Sequence, residues 1–98
     1  MLPSTTLMLQ STVREDGRVE IEQIEVALTS PSDDEVVVRM EAAPINPSDL
    51  GTMFAGADIT TLRDDSSNDR RCVSAALNEA AVRAAKARLG QSIPLGNE

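Results

Sequence analysis

The sequence contains no histidine, no tryptophan and no tyrosine, with Cys72 as its single cysteine and Phe54 as its single aromatic residue. Without histidine, the commonest general base and metal ligand, the chain cannot assemble a Ser-His-Asp site, a Cys-His site or a Cys/His zinc site. One cysteine cannot form an intramolecular disulfide, which favours a reducing compartment. A core with one aromatic ring depends on aliphatic and alanine side chains, which bury less area each.

Basic residues are also few. The chain has 9 lysines and arginines against 16 aspartates and glutamates, which gives a net charge of −7 at pH 7. This negative field repels a phosphate backbone, so we expect no nucleic-acid partner. The first ten residues, MLPSTTLMLQ, contain at most three apolar residues in succession, which fits neither a signal peptide nor a membrane helix. We therefore expect a cytoplasmic protein that does not engage a membrane.

The 98 residues are enough for one small domain, and the first 42 predict β structure. A short strand is expected over Thr5–Leu9 and a second over Val19–Val26, where a slip of one residue at Gln23 predicts a bulge. Three consecutive valines within Glu35–Ala42 predict a third strand, buried on both faces. The opening third therefore indicates a twisted sheet or the start of a small barrel.

The rest of the chain predicts a turn, a loop and helices. Asn46–Asp49 is typical of a turn that leads into a short helix, with Ser48 or Asp49 as its N-cap. Residues 59–72 are polar and charge-dense and predict an exposed loop. Residues 74–89 are rich in alanine and predict a helix. The fold class expected is α+β, mainly β, with one alanine-rich helix near the C-terminus.

Composition and spacing indicate no complete chemical site. The carboxylates gather in expected turns, as at Asp64 and Asp65, where we interpret them as solvated. Gly51 and Gly56 stand alone, so no glycine-rich phosphate loop is present. Cys72 precedes the expected helix, whose N-terminus could activate a thiol, although a small buried side chain is the preferred interpretation.

Two segments resemble the medium-chain dehydrogenase/reductase superfamily. Residues 34–50, DEVVVRMEAAPINPSDL, are similar to the family's strand of the form EVxVxVxAxxxNPxD, which leads into the cleft of a GroES-like β-barrel. Residues 94–98, PLGNE, resemble the start of its PxxxGxExxGxV segment. The resemblance implies that residues 1–98 are the incomplete N-terminal part of a GroES-like substrate domain, a partial barrel, with the helix-bearing segment as an insertion.

The resemblance also implies a function. Zinc-dependent members carry a cysteine and a histidine as zinc ligands, and this chain has Ile45-Asn46-Pro47 and Gly96-Asn97-Glu98 at those places. The resemblance therefore implies the zinc-independent branch, with no metal. That branch is similar to quinone oxidoreductases and enoyl reductases. Those enzymes pass a hydride from NADPH or NADH to a quinone or a conjugated carbonyl. By position, Asn46 and Asp49 are then the catalytic residues, and Asn46 and Glu98 contact the cofactor. Gly51 stands where relatives often have an aromatic residue that lines the quinone site.

Two alternatives remain open beside the reductase interpretation. The family's nucleotide-binding domain is absent from these residues, so we expect the 98-residue chain to be an N-terminal fragment that is inactive by itself. The chain could instead be a non-catalytic binding module that forms a homodimer through the helix expected over residues 74–89, or a remnant with no function of its own. Residues 58–91 could serve as a lid, a subunit contact or a plain surface insertion.

Overall fold

A five-stranded antiparallel sheet carries the fold. The computed structural model describes residues 2–44 and 46–95. In chain order its elements are β1 Thr5–Val13, β2 Arg18–Ala27, α1 Pro47–Phe54, β3 Ala57–Asp64, β4 Arg71–Leu77, α2 Glu79–Ala84, a 3₁₀ helix Lys86–Arg88, and β5 Ser92–Pro94. The strands lie in the order β3-β4-β2-β1-β5. The protein is therefore mainly β, as expected, but the described sheet is open and does not close into a barrel.

β1 and β2 form a hairpin, which confirms the first two expected strands and lengthens both. Gly17 closes the turn with φ +82°, a left-handed conformation that glycine adopts readily. The register of the two strands is continuous, so the bulge expected at Gln23 is wrong. The apolar pattern changes phase there because β2 places Ile21 on one face of the sheet and Ile24 on the other, with no extra residue.

The polar loop expected over residues 59–72 is confirmed only over 65–70, because β3 extends to Asp64 and β4 begins at Arg71. β3 pairs with β4 at Ala57 and Asp58 and again at Arg63 and Asp64, with a register shift between these two places. Charge density did not prevent strand formation, because opposite charges meet here: Asp65, just after β3, pairs with Arg63 of β3 and with Arg14 of the β1–β2 turn. β4 also pairs with β2, so the hairpin β3–β4 extends the sheet.

The helix expected over residues 74–89 is much shorter. Ser74 and Ala75 are fully buried in β4, because small side chains fit between the neighbouring strands, and this packing overrides helix propensity. α2 begins only after Asn78, whose side chain accepts a hydrogen bond from the backbone N–H of Ala81 at 2.8 Å.

The third expected strand, Glu35–Ala42, is not formed, and residues 35–44 are neither strand nor helix. β-branched residues specify a strand only where a neighbouring strand accepts their hydrogen bonds and covers their side chains. No described strand runs beside this segment. Its valines consequently stay largely exposed, as Val36 (82%) and Val38 (69%) show.

One face of the sheet carries the core. Val19, Ile21 and Ala75 form a cluster of buried side chains. Met53 and Phe54 of α1 and Leu95, which follows β5, pack against it. This core is small, as expected for a chain with one aromatic residue. Within residues 2–44 and 46–95, no helix combines the length and the apolar character that a membrane crossing requires.

Candidate functional site

The expected catalytic pair lies at the start of α1. Asn46 is the N-cap and Pro47 occupies the first helical position, where its missing N–H costs no hydrogen bond. Asn46 and Asp49 form a capping box, in which Asp49 Oδ2 accepts from the backbone N–H of Asn46 at 2.8 Å. The expected N-cap at Ser48 or Asp49 is therefore wrong by two or three residues. The sequence motif acts first as a helix start.

The capping box fixes both side chains in one rigid unit. Both residues are half-buried, and the Asp49 carboxylate lies at the positive end of the helix dipole. The other end of α1 is held on the core face of the sheet by Met53 and Phe54. The structure thus brings Asn46 and Asp49 together. Glu98, the third expected site residue, lies outside the described residues.

A second group of polar residues lies on the sheet face opposite the core. We call it the arginine–carboxylate cluster, and it consists of Arg14, Asp16, Arg18, Glu20, Glu22, Arg63, Asp65, Arg70 and Ser74. Cross-strand pairing places its central members side by side, with Glu20 of β2 opposite Ser74 of β4. Strand alternation directs these side chains away from the core.

Glu20 is the most enclosed carboxylate of the cluster, with a side chain only 10% exposed. It accepts a hydrogen bond from Arg14 Nη1 at 3.1 Å and a second, shorter one from Arg70. Arg70 Nε also donates to Glu22 at 2.8 Å, and this contact lowers the pKa of Glu22. Two arginines from different turns therefore converge on neighbouring carboxylates of β2.

Asp65 connects the β3–β4 hairpin to the same cluster. Its carboxylate accepts from Ser74 Oγ at 2.6 Å, from Arg63 Nε at 2.8 Å and from Arg14 Nη1 at 3.2 Å. The hydroxyl of Ser74 and then the two guanidinium groups lower the pKa of Asp65 to about 2. Because Asp65 is ionised at neutral pH, it cannot serve there as a general acid.

Arg18 holds the irregular part of β3. Its Nε donates to Ser74 Oγ at 3.0 Å, and its Nη2 donates to the backbone oxygens of Thr61 at 2.8 Å and Ser74 at 3.0 Å. Thr61 lies within the register shift of β3, where regular pairing with β4 is interrupted. Arg18 therefore supplies contacts that the strand ladder lacks at this point.

The arginine–carboxylate cluster fits a structural role better than a chemical one. It contains four arginines and four carboxylates, and each of the carboxylates contacts at least one of these arginines. Within the described part of the chain, no group of three carboxylate or thiol side chains is arranged to hold a metal ion. The expectation that Asp65 is simply solvated missed this cluster, although the spacing of Glu20 and Glu22 on one strand face was a usable signal.

Neither the thiol nor the main groove adds a chemical group to the expected site. Cys72 is buried in β4 rather than placed at a helix start, and its burial raises the pKa of the thiol. An open groove of about 500 Å³ runs beside the β3–β4 turn, and its lining includes Gln23 and Arg71. Neither Asn46 nor Asp49 lines that groove.

No family model matches the chain, and no curated protein matches it. A functional assignment therefore depends on the residues and their geometry.

Proposed function

We propose that these residues are the N-terminal part of the substrate domain of a zinc-independent NAD(P)H-dependent oxidoreductase that reduces a quinone or a conjugated carbonyl. The observation that carries the proposal is the capping box, which joins Asn46 and Asp49 of the family-like NPxD motif in one rigid unit.

The position of the second family-like segment also supports the proposal. Leu95, inside the PLGNE match, packs against the same buried cluster as Met53 and Phe54 of α1. Two segments that are far apart in the sequence therefore converge on one sheet face, as parts of one cleft should. The open sheet also fits a domain whose remaining strands lie elsewhere.

In the proposed reaction the nicotinamide supplies a hydride to the substrate, and the protein binds and orients both. The Asn46 side chain caps α1 through its carbonyl oxygen, and its amide group has the chemistry to donate to the carboxamide of a nicotinamide or to a substrate carbonyl. Asp49 positions Asn46 by accepting its backbone N–H. Glu98 is proposed as a further cofactor contact on the resemblance alone. The 98 residues are proposed to be inactive without a nucleotide-binding domain.

The test separates capping from catalysis at Asn46. Capture from the source cells with an antibody to residues 30–50 first gives the full length of the native polypeptide. That full-length polypeptide is then expressed as wild type, as Asn46→Ser and as Asn78→Ser. Serine caps a helix about as well as asparagine but lacks the amide. If Asn46 contacts cofactor or substrate, NADPH-dependent reduction falls about tenfold or more in Asn46→Ser and is unchanged in Asn78→Ser, the matched cap of α2. Equal activity of both variants would refute a role for the Asn46 amide.

A non-catalytic binding module is the second candidate. The specific observation in its favour is that one segment exposes an apolar side chain at every second residue, namely Val36, Val38 and Met40. The helix first expected to mediate dimerisation is reduced to six residues in α2, so this segment replaces it as the candidate contact surface.

A further inference from the structure

An unpaired run of β-branched residues lies between β2 and α1. We call residues 35–41 the valine segment. Its even-numbered side chains are strongly exposed, with Val36 at 82%, Val38 at 69% and Met40 at 68%. Val37 points the other way and lines a crevice of about 200 Å³ with Leu2 and Pro31. Val37 is the one half-buried side chain of the segment, since Glu35, Arg39 and Glu41 are exposed like the even-numbered residues.

The backbone of the valine segment has no neighbouring strand. Within the described residues, no backbone hydrogen bond joins 36–44 to any other part of the chain. Free N–H and C=O groups beside exposed β-branched side chains are a template for pairing with another strand. Such an edge is usually shielded by a charge that points inward, a proline or a bulge, and none interrupts residues 36–38.

We propose that the valine segment pairs with the valine segment of a second copy of this chain, antiparallel and with Val37 opposite the partner's Val37. Two identical antiparallel strands related by a two-fold axis must place one residue opposite itself. This register sets Val36 across from the partner's Val38 and Glu35 across from the partner's Arg39, and symmetry repeats both pairs. The inference goes beyond the proposed function and does not rest on it.

Charge selects this register over its neighbour. An axis through Val38 would set Glu35 across from the partner's Glu41, and like charges directly opposite are unfavourable. With the axis at Val37, Glu35 and Arg39 meet an opposite charge, and Glu41 falls beyond the paired residues, opposite the turn that contains Asp33. Arg39 already donates to Glu41 through Nε at 2.9 Å and through Nη2 at 2.5 Å, and the guanidinium has further N–H groups for a second carboxylate. Glu35 uses Oε1 to accept from the Ser32 hydroxyl at 2.8 Å, which leaves Oε2 to face the partner's arginine.

Charge reversal tests the register. The native polypeptide that carries these residues and its variants Glu35→Arg, Arg39→Glu and the control Glu15→Arg are compared by sedimentation equilibrium over a concentration series. Glu15 is exposed in the β1–β2 turn, and its replacement changes the net charge as Glu35→Arg does. We expect a dimer for the wild type and the control, and a dissociation constant about tenfold higher for each of the other two variants alone.

Mixing the two reversed variants gives the decisive result. A heterodimer of Glu35→Arg with Arg39→Glu restores opposite charges at both positions, so the dissociation constant of the mixture should return to about the wild-type value. A folding defect cannot produce this recovery, and circular dichroism of each variant checks the fold separately. A monomeric wild type, or a mixture as weak as the single variants, would overturn the proposal. A stable monomer of a longer native chain, with the valine segment protected from hydrogen exchange, would equally overturn it.

Discussion

Ser74→Ala tests whether the arginine–carboxylate cluster stabilises the fold. Ser74 is fully buried, and its hydroxyl donates to Asp65 at 2.6 Å while it accepts from Arg18 at 3.0 Å. A hydrogen bond to a charged partner contributes roughly 1.5–3 kcal/mol. Asp65 keeps two arginines and Arg18 keeps two backbone oxygens, so part of the loss is recovered. We expect the free energy of unfolding to fall by about 2 kcal/mol.

Urea denaturation measures this change. For a domain of this size the dependence on urea is about 1–1.5 kcal/mol per molar, so the midpoint should fall by about 1.5 M. The control is Ser92→Ala, since Ser92 is exposed in β5 and lies 2.7 Å from Thr12 Oγ1; it should change stability by less than about 0.5 kcal/mol. A loss for Ser74→Ala as small as that of the control would refute the assignment of a stabilising role to the cluster.

Three further predictions concern backbone, pH and thiol chemistry. Gly56→Ala should destabilise the protein by about 1–3 kcal/mol in urea titrations, because φ of Gly56 is +76° and the new Cβ would lie 2.5 Å from Ala81 Cβ. In the control Gly51→Ala the new Cβ meets nothing within 4 Å, so this variant should be as stable as the wild type or more stable. The pKa of Asp65 is lowered to about 2 in the folded protein, so the ionised carboxylate contributes its full stabilisation above the pKa of about 4 that it has in the unfolded chain. The urea midpoint should therefore fall as the pH drops from about 5 toward 2. Asp65→Asn should flatten this part of the pH profile. Cys72 is buried with a raised pKa, so a thiol reagent should modify it about as fast as the protein unfolds, and rapid labelling of the native protein would contradict its burial.

Local patterns predicted the hairpin and the motif at α1, but not the partners of the remaining segments. β1 and β2 followed from strand alternation and a glycine turn, since both signals lie within neighbouring residues. The valine segment has an equally strong strand pattern and stays unpaired, because pairing depends on a neighbour that its own sequence does not specify. Ser74 and Ala75 show the opposite case, in which a helix-forming run is drawn into a sheet by burial.

The candidate site was predictable in its residues and not in its local geometry. Asn46 and Asp49 were singled out from the family-like motif, and the structure joins them in a capping box that the motif alone did not specify. The arginine–carboxylate cluster was missed, because its contacts join residues up to 56 positions apart, such as Arg18 and Ser74. Contacts of that range depend on strand order, which side-chain patterns do not encode.

The intact mass of the native protein tests the central claim most directly. Capture from the source cells with an antibody to residues 30–50, followed by mass spectrometry, would give the length of the polypeptide that carries this sequence. The oxidoreductase proposal predicts a mass several times 10.5 kDa, because a nucleotide-binding domain must follow these residues. A native mass of 10.5 kDa would contradict it, and the valine segment would then be the first place to look for a binding partner.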